Sequence, residues 1–129
     1  MSQPILKLSI LDGEFTIHQF QSDHEISQKI YDSNFYSISK TEDEVSVVCN
    51  SSVLLDSEKS ESGWSCIKVI GQLDFSLTGI LAEISTILSK AGISIFAIST
   101  YDTDYILVKK EKLQLAEEAL LAAGHIFEQ

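Results

Sequence analysis

The stretch Gly71–Val108, GQLDFSLTGILAEISTILSKAGISIFAISTYDTDYILV, decides how this chain folds. Within it Ile80, Leu81, Ile84, Ile87, Leu88 and Ala91 recur at three- and four-residue steps, which predicts one apolar stripe on a helix over Thr78–Ala91. Ser76 or Thr78 is placed to cap the first turn, and Gly92 to end the last. Ile93–Thr100 then reads as a strand with apolar residues on both sides, Ile93, Ile95 and Ala97 on one and Phe96 and Ile98 on the other. Such a strand needs both faces covered, by the other half of the chain or by another chain. Tyr105–Val108 pairs back across a turn at Asp102-Thr103.

Outward from this stretch the pattern continues in both directions. Trp64–Leu73 is a strand before the helix; after it come a second helix over Glu111–Ala123, stopped by Gly124, and a short strand at Ile126-Phe127. The C-terminal half therefore has the order strand, helix, strand, strand, helix, strand, that of a ferredoxin-like split βαβ unit. In the N-terminal half, Ile5–Asp12 and Glu14–Phe20 flank Asp12-Gly13, a dipeptide suited to a tight hairpin turn. Gln21–Asn34 holds a short helix around Ile26, Ile30 and Tyr31. Phe35–Lys40 and Val45–Cys49 form a second hairpin whose Val45, Val47 and Cys49 point inward, and Ser51–Leu55 could form one helical turn. Asp56–Gly63, DSEKSESG, is the one clear break in composition and reads as a loop or linker. The fold class is α+β: two ferredoxin-like βαββαβ units in tandem, the first degenerate, divided as 1–62 and 63–129.

The totals narrow the function. With 129 residues, 44% of them hydrophobic, the chain makes one compact domain or two very small ones sharing a core, without disulfides or metal. Nineteen acidic against nine basic residues give a net charge of −10, which repels nucleic acid and anionic lipid; neither is an expected partner. Cys49 and Cys66 lack CxxC spacing and sit in apolar runs, as buried free thiols in a reducing compartment do. No charged apolar leader opens the sequence and no apolar run approaches the roughly 20 residues that span a membrane, so the expectation is a cytoplasmic protein. His18, His24 and His125 are scattered, with no ligand spacing for a metal. The acids Glu42, Asp43 and Glu44 read as a solvated turn. No dinucleotide fingerprint, phosphate loop or nucleophile elbow appears, so neither a cofactor nor catalysis is expected.

The element order, together with Asp74-Phe75-Ser76-Leu77-Thr78-Gly79-Ile80 and Ile98-Ser99-Thr100-Tyr101-Asp102-Thr103-Asp104-Tyr105, resembles the ACT domain, a regulatory fold that binds amino acids. The chain is similar in particular to short tandem ACT proteins of bacteria, related to the arginine-sensor ACT domains and to aspartate kinase regulatory domains. The resemblance is strong over Trp64–His125 and weaker over Ile5–Leu55. It implies a non-catalytic sensing module whose ligand, an amino acid, is held between two ACT units within one chain or across a homodimer. One wall would be the loop into the first helix, Asp74, Phe75, Thr78, Gly79 and Ile80, with Gly79 letting the backbone approach the ligand. The other would be Thr100, Tyr101 and Asp104, with Asp104 gripping a cationic group as the corresponding acid does in the arginine sensor. That sensor has four such units where this chain has about two, so the identity of the ligand does not carry over.

Physical chemistry bears on the same residues without the resemblance. The entry to a helix presents unpaired N–H groups and the positive end of the helix dipole, a fit for an α-carboxylate. Asp102 is ordinary turn chemistry. Asp104 stands at the edge of an apolar strand, where a carboxylate is costly unless exposed or paired. The alternative function is a structural or dimerising module that docks on a partner enzyme through its apolar sheet and binds no ligand.

Overall fold

The computed structural model describes residues 5–71 and 79–128. Among these residues the chain runs β1 (Lys7–Ile10), β2 (Phe15–Phe20), β3 (Ser37–Lys40), β4 (Val45–Asn50), β5 (Lys59–Val69), α1 (Ile80–Lys90), β6 (Ile95–Ser99), β7 (Asp104–Lys109), α2 (Leu113–Ala122) and β8 (Ile126–Phe127), with 3-10 turns at Gln28–Asp32 and Lys110–Lys112. They form two compact units: Gly13–Trp64 is one, and the residues before it join those after it as the other.

The second unit keeps the order read from the sequence, β5, α1, β6, β7, α2, β8. Its sheet order is β8-β1-β5-β7-β6. The buried residues of both helices, Ile80, Ile84, Leu88, Ala116 and Leu120, share one cluster with Leu8, Ile67, Val69, Ile106 and Val108. Those five are alternate residues of their strands, so both helices cover one face of the sheet. The stripe on α1 is thus the main wall of this core, and the three-and-four spacing is its cause.

Both helices end as their sequences predict. Gly92 takes a left-handed φ of 76°, and around it Gly92 N–H donates to Ser89 O (3.0 Å) while Ile93 N–H donates to Leu88 O (2.9 Å). This is the paired bonding of a Schellman stop, which satisfies carbonyls the helix leaves open. The same pair closes α2, from Gly124 to Leu121 O and from His125 to Leu120 O. At the start of α1 the capping position is Gly79, at φ 83°, which brings no side chain of its own. Ser76 and Thr78 lie outside the described residues.

Two expectations are corrected. Ile5–Asp12 and Glu14–Phe20 do not form a hairpin about Asp12-Gly13. Instead β1 pairs antiparallel with β5, Leu8 opposite Val69 and Ile10 opposite Ile67, and parallel with β8. It thereby enters between β5 and β8, where backbone bonds on both its edges and burial of Leu8 outweigh a local turn. The serine-rich run is not wholly a linker, because Lys59–Gly63 is the first half of β5. There Lys59, Ser60 and Glu61 pair with Gln19, His18 and Ile17 of β2. Polar residues suit a strand whose side chains stay exposed, and composition alone hid it. β6 pairs only with β7 among the described residues, and within the chain none of its five residues is fully buried. Phe96 and Ile98 are half-buried at the sheet margin.

In the Gly13–Trp64 unit, β2 lies between β4 and the first part of β5, and β3 pairs with the far side of β4. Phe20, Ile30, Val45, Val47 and Cys49 are its core, so the inward set read for β4 is the buried one. The helix expected in Gln21–Asn34 is a single 3-10 turn, and Ser51–Val53 is a hydrogen-bonded turn rather than a helical one.

Candidate functional site

Thr100, Tyr101 and Asp104 come together at the end of the β6–β7 hairpin. A two-residue hairpin normally closes through a turn with positive φ at its centre, yet no described residue other than glycine has positive φ. Tyr101 and Asp102 therefore leave the closing pair incomplete, and the side chain of Thr100 finishes it. Thr100 N–H donates to Thr103 O (2.8 Å), whereas Thr103 N–H donates to Thr100 Oγ1 (3.3 Å). Thr100 Oγ1 also donates to Thr103 O at 3.1 Å. The Thr100 hydroxyl is thus committed to the turn, and Tyr101 stands 77% exposed beyond it.

Asp104 opens β7, half-buried, directly opposite Ser99 of β6. Ser99 Oγ donates to its Oδ1 at 2.5 Å, the short O–H···O⁻ distance of a charge-assisted bond. This bond answers the cost of a carboxylate beside an apolar strand and fixes the orientation of the carboxylate. A carboxylate accepts up to about four hydrogen bonds, so one serine does not exhaust it.

The other wall is described only at its rear. Asp74, Phe75 and Thr78 lie outside the described residues. Gly79 and Ile80 are the cap and first residue of α1, with Glu83 N–H donating to Gly79 O at 2.8 Å as the first helical bond. Ile80 is only 7% exposed and belongs to the core, so its side chain holds the helix down. Gly79 is exposed and left-handed, a conformation that favours glycine.

Two residues that the sequence did not single out support this hairpin end. Ser99 holds Asp104, and Thr103, 5% exposed, donates its Oγ1 to Val69 O at 2.6 Å, tying the turn to the last residue of β5. The signal was present as hydroxyls flanking Tyr101-Asp102, but their reach depends on a strand pairing that spacing does not reveal.

Elsewhere the chemistry is structural. Cys49 and Cys66 are free and buried, and burial pushes the Cys66 thiol up to about 12, which keeps it un-ionised and unreactive at neutral pH. His18 is buried with Nδ1 2.9 Å from Ser57 Oγ, and burial pushes its pKa down, so the ring is neutral near pH 7. His125 accepts from Leu6 N–H through Nδ1 at 3.1 Å, which places its proton on Nε2. No cluster of three His, Cys, Asp or Glu side chains suited to a metal occurs among the described residues, and no described helix is long and apolar enough to cross a membrane. An open cavity of about 470 Å³ on the Gly13–Trp64 unit is lined by Gln19, Gln21, Asp23, Asp43, Glu58 and Lys59 among others. Among its polar groups, Gln21 Nε2 donates to Glu58 Oε1 at 3.1 Å and Gln19 Nε2 to Glu44 Oε1 at 3.3 Å.

A family model for the ACT domain matches residues 59–122, and a second model, for an N-terminal domain, matches residues 13–54. No curated protein sequence matches the chain. Among solved structures, protein Atu0741 from Agrobacterium tumefaciens is 35% identical over 98% of this chain and 94% of its own, with a TM-score of 0.90. The ligand-free regulatory subunit of aspartate kinase from Thermus thermophilus is 10% identical over 95% of this chain and 100% of its own, at TM-score 0.65. Aspartokinase III of Escherichia coli, solved with aspartate and ADP, is 14% identical over 92% of this chain and 33% of its own, at TM-score 0.58. The last two likenesses are of fold, and they extend over both units. The ACT order of β5 to β8, the matched family model and the relative alike over nearly its whole length place this chain in the ACT-domain family of small-molecule regulatory binding modules.

Proposed function

We propose that this protein is a non-catalytic sensor that binds a free amino acid at the helix entry and hairpin end of its ACT unit. The ligand's α-carboxylate sits on the N–H groups at the start of α1, and its ammonium or a cationic side chain sits on Asp104. Asp74, Phe75, Thr78, Gly79 and Ile80 form one wall, Thr100, Tyr101 and Asp104 the other. The observation that carries the reading is Asp104 itself: a half-buried carboxylate, oriented by Ser99, at the rim of the same unit whose first helix has glycine at its capping position. An anion-accepting helix end and a cation-accepting carboxylate are the two halves of a zwitterion receptor. Aspartokinase III was solved with aspartate, which supports an amino acid as the ligand class here.

Thermal melting with each of the twenty amino acids at millimolar concentration tests the proposal. A ligand at a hundred times its Kd stabilises the folded state by about 2.7 kcal/mol, a shift that a melt resolves easily. At least one amino acid raises Tm in the wild type; no shift with any of them contradicts the reading. The half-exposed Phe96 and Ile98 on the marginal strand β6 favour a second reading, a module that dimerises or docks through that strand. On that reading Asp104→Ala leaves both assembly and cellular role intact.

A further inference from the structure

We infer that Thr103 is the positioning residue of this site: its buried hydroxyl anchors the turn bearing Thr100, Tyr101 and Asp104 to the end of β5, where the chain sets off toward Gly79. The inference rests on the ligand site proposed above and assigns a role to a residue outside it.

Val69 is the last residue of β5. On one side the strand is held by β1, with Val69 opposite Leu8 and Ile70 N–H donating to Lys7 O at 2.8 Å. On the other side the Val69 carbonyl is taken by a side chain, Thr103 Oγ1, at 2.6 Å and out of water. Thr103 is at the same time the closing residue of the hairpin turn, its N–H and carbonyl both bonded to Thr100. One residue therefore does two separable things. Its backbone closes the turn, and its hydroxyl fixes where the closed turn stands relative to the exit of β5.

Removing only the hydroxyl leaves the turn closed through Thr100, the Ser99–Asp104 bond in place and β7 paired with β5, but takes away the side-chain tie that holds the turn to the last residue of β5. Thr103 carries the rim, and Val69, to which the bond ties it, is the last residue of β5. A binding constellation tolerates misplacement of only about 0.5 Å before affinity suffers, so the support of the rim counts as much as the groups on it. Valine has nearly the size and shape of threonine and isolates the hydroxyl, while serine restores it.

Calorimetric titration at 15 °C of wild type, Thr103→Val and Thr103→Ser with each of the twenty amino acids tests this. Working well below the melting transition keeps any loss of stability out of the affinity. Thr103→Val is expected to weaken the amino acid that wild type binds at least tenfold, and Thr103→Ser to stay within threefold of wild type. If Thr103→Val does not fold, Thr103→Cys keeps a weaker donor of similar size and is expected to fall between wild type and a tenfold loss. Equal affinity in wild type and Thr103→Val overturns the positioning role while leaving the site standing, and so does a loss in Thr103→Ser as large as in valine. Absence of binding in wild type itself overturns the site, and the positioning role with it.

Discussion

Ser99 and Asp104 face one another across the β6–β7 ladder, and the serine hydroxyl reaches the aspartate Oδ1 at 2.5 Å. Asp104→Asn keeps the shape of this pair and removes the charge. A hydrogen bond to a charged group contributes roughly 1.5 to 3 kcal/mol, so loss of the charge is expected to weaken a cationic amino acid about tenfold or more. The free protein should hold its stability to within about 1 kcal/mol, since the pair is near the surface. Paired ligand titrations and urea melts read the two effects separately.

Gly92 ends α1 at φ 76° with open space where a Cβ would stand. The cost of Gly92→Ala is therefore conformational alone, about 1 kcal/mol for a left-handed alanine. Urea unfolding should show a lower midpoint with an unchanged slope.

Leu88 and Leu115 separate pattern from packing. Leu88 is completely buried in the cluster that joins α1 to the sheet, whereas Leu115 on α2 is 41% exposed. Leu88→Ala is expected to destabilise by about 2 to 5 kcal/mol through lost burial and a cavity, and Leu115→Ala by less than about 0.5 kcal/mol. Equilibrium denaturation of both variants checks the ratio.

His18 makes stability depend on pH. Burial lowers its pKa below the usual 6.5, so the unfolded chain takes up a proton at 6.5 while the folded chain still refuses it. The unfolded state then binds more protons, and stability falls as pH drops from 6.5 to the lowered folded value. Above 6.5 the contribution of this residue is constant. The residues facing it, Ser57 on Nδ1 and the Phe20 ring, offer no negative charge to hold the imidazolium. Comparing the pH dependence of urea midpoints for wild type and His18→Gln checks this: the substituted protein should show a flatter profile below pH 6.5.

The C-terminal fold was legible because its helices carry period and punctuation together. Ile80, Ile84 and Leu88 mark a face, and Gly92 and Gly124 mark ends, all local properties of the chain. The place of β1 was not legible, since Asp12-Gly13 is good turn chemistry and only the distant β5 and β8 outcompete it. Lys59–Gly63 escaped for a related reason: its strand form is imposed by β2 opposite it, not by its own apolar pattern. At the site, Asp104 and the Thr100–Tyr101 turn could be named from types and positions alone. Ser99 and Thr103 could not, because which hydroxyl reaches which oxygen is decided by strand register and by the neighbour of β7.

The most direct test is a nitrogen-15 NMR titration of the wild type with the amino acid that most raises its Tm. Binding at the helix entry and hairpin end predicts that the amides of Gly79, Ile80, Thr100, Tyr101 and Asp104 shift together along one saturation curve. Saturable shifts confined to other residues, or none at these five while the protein remains folded, would contradict it.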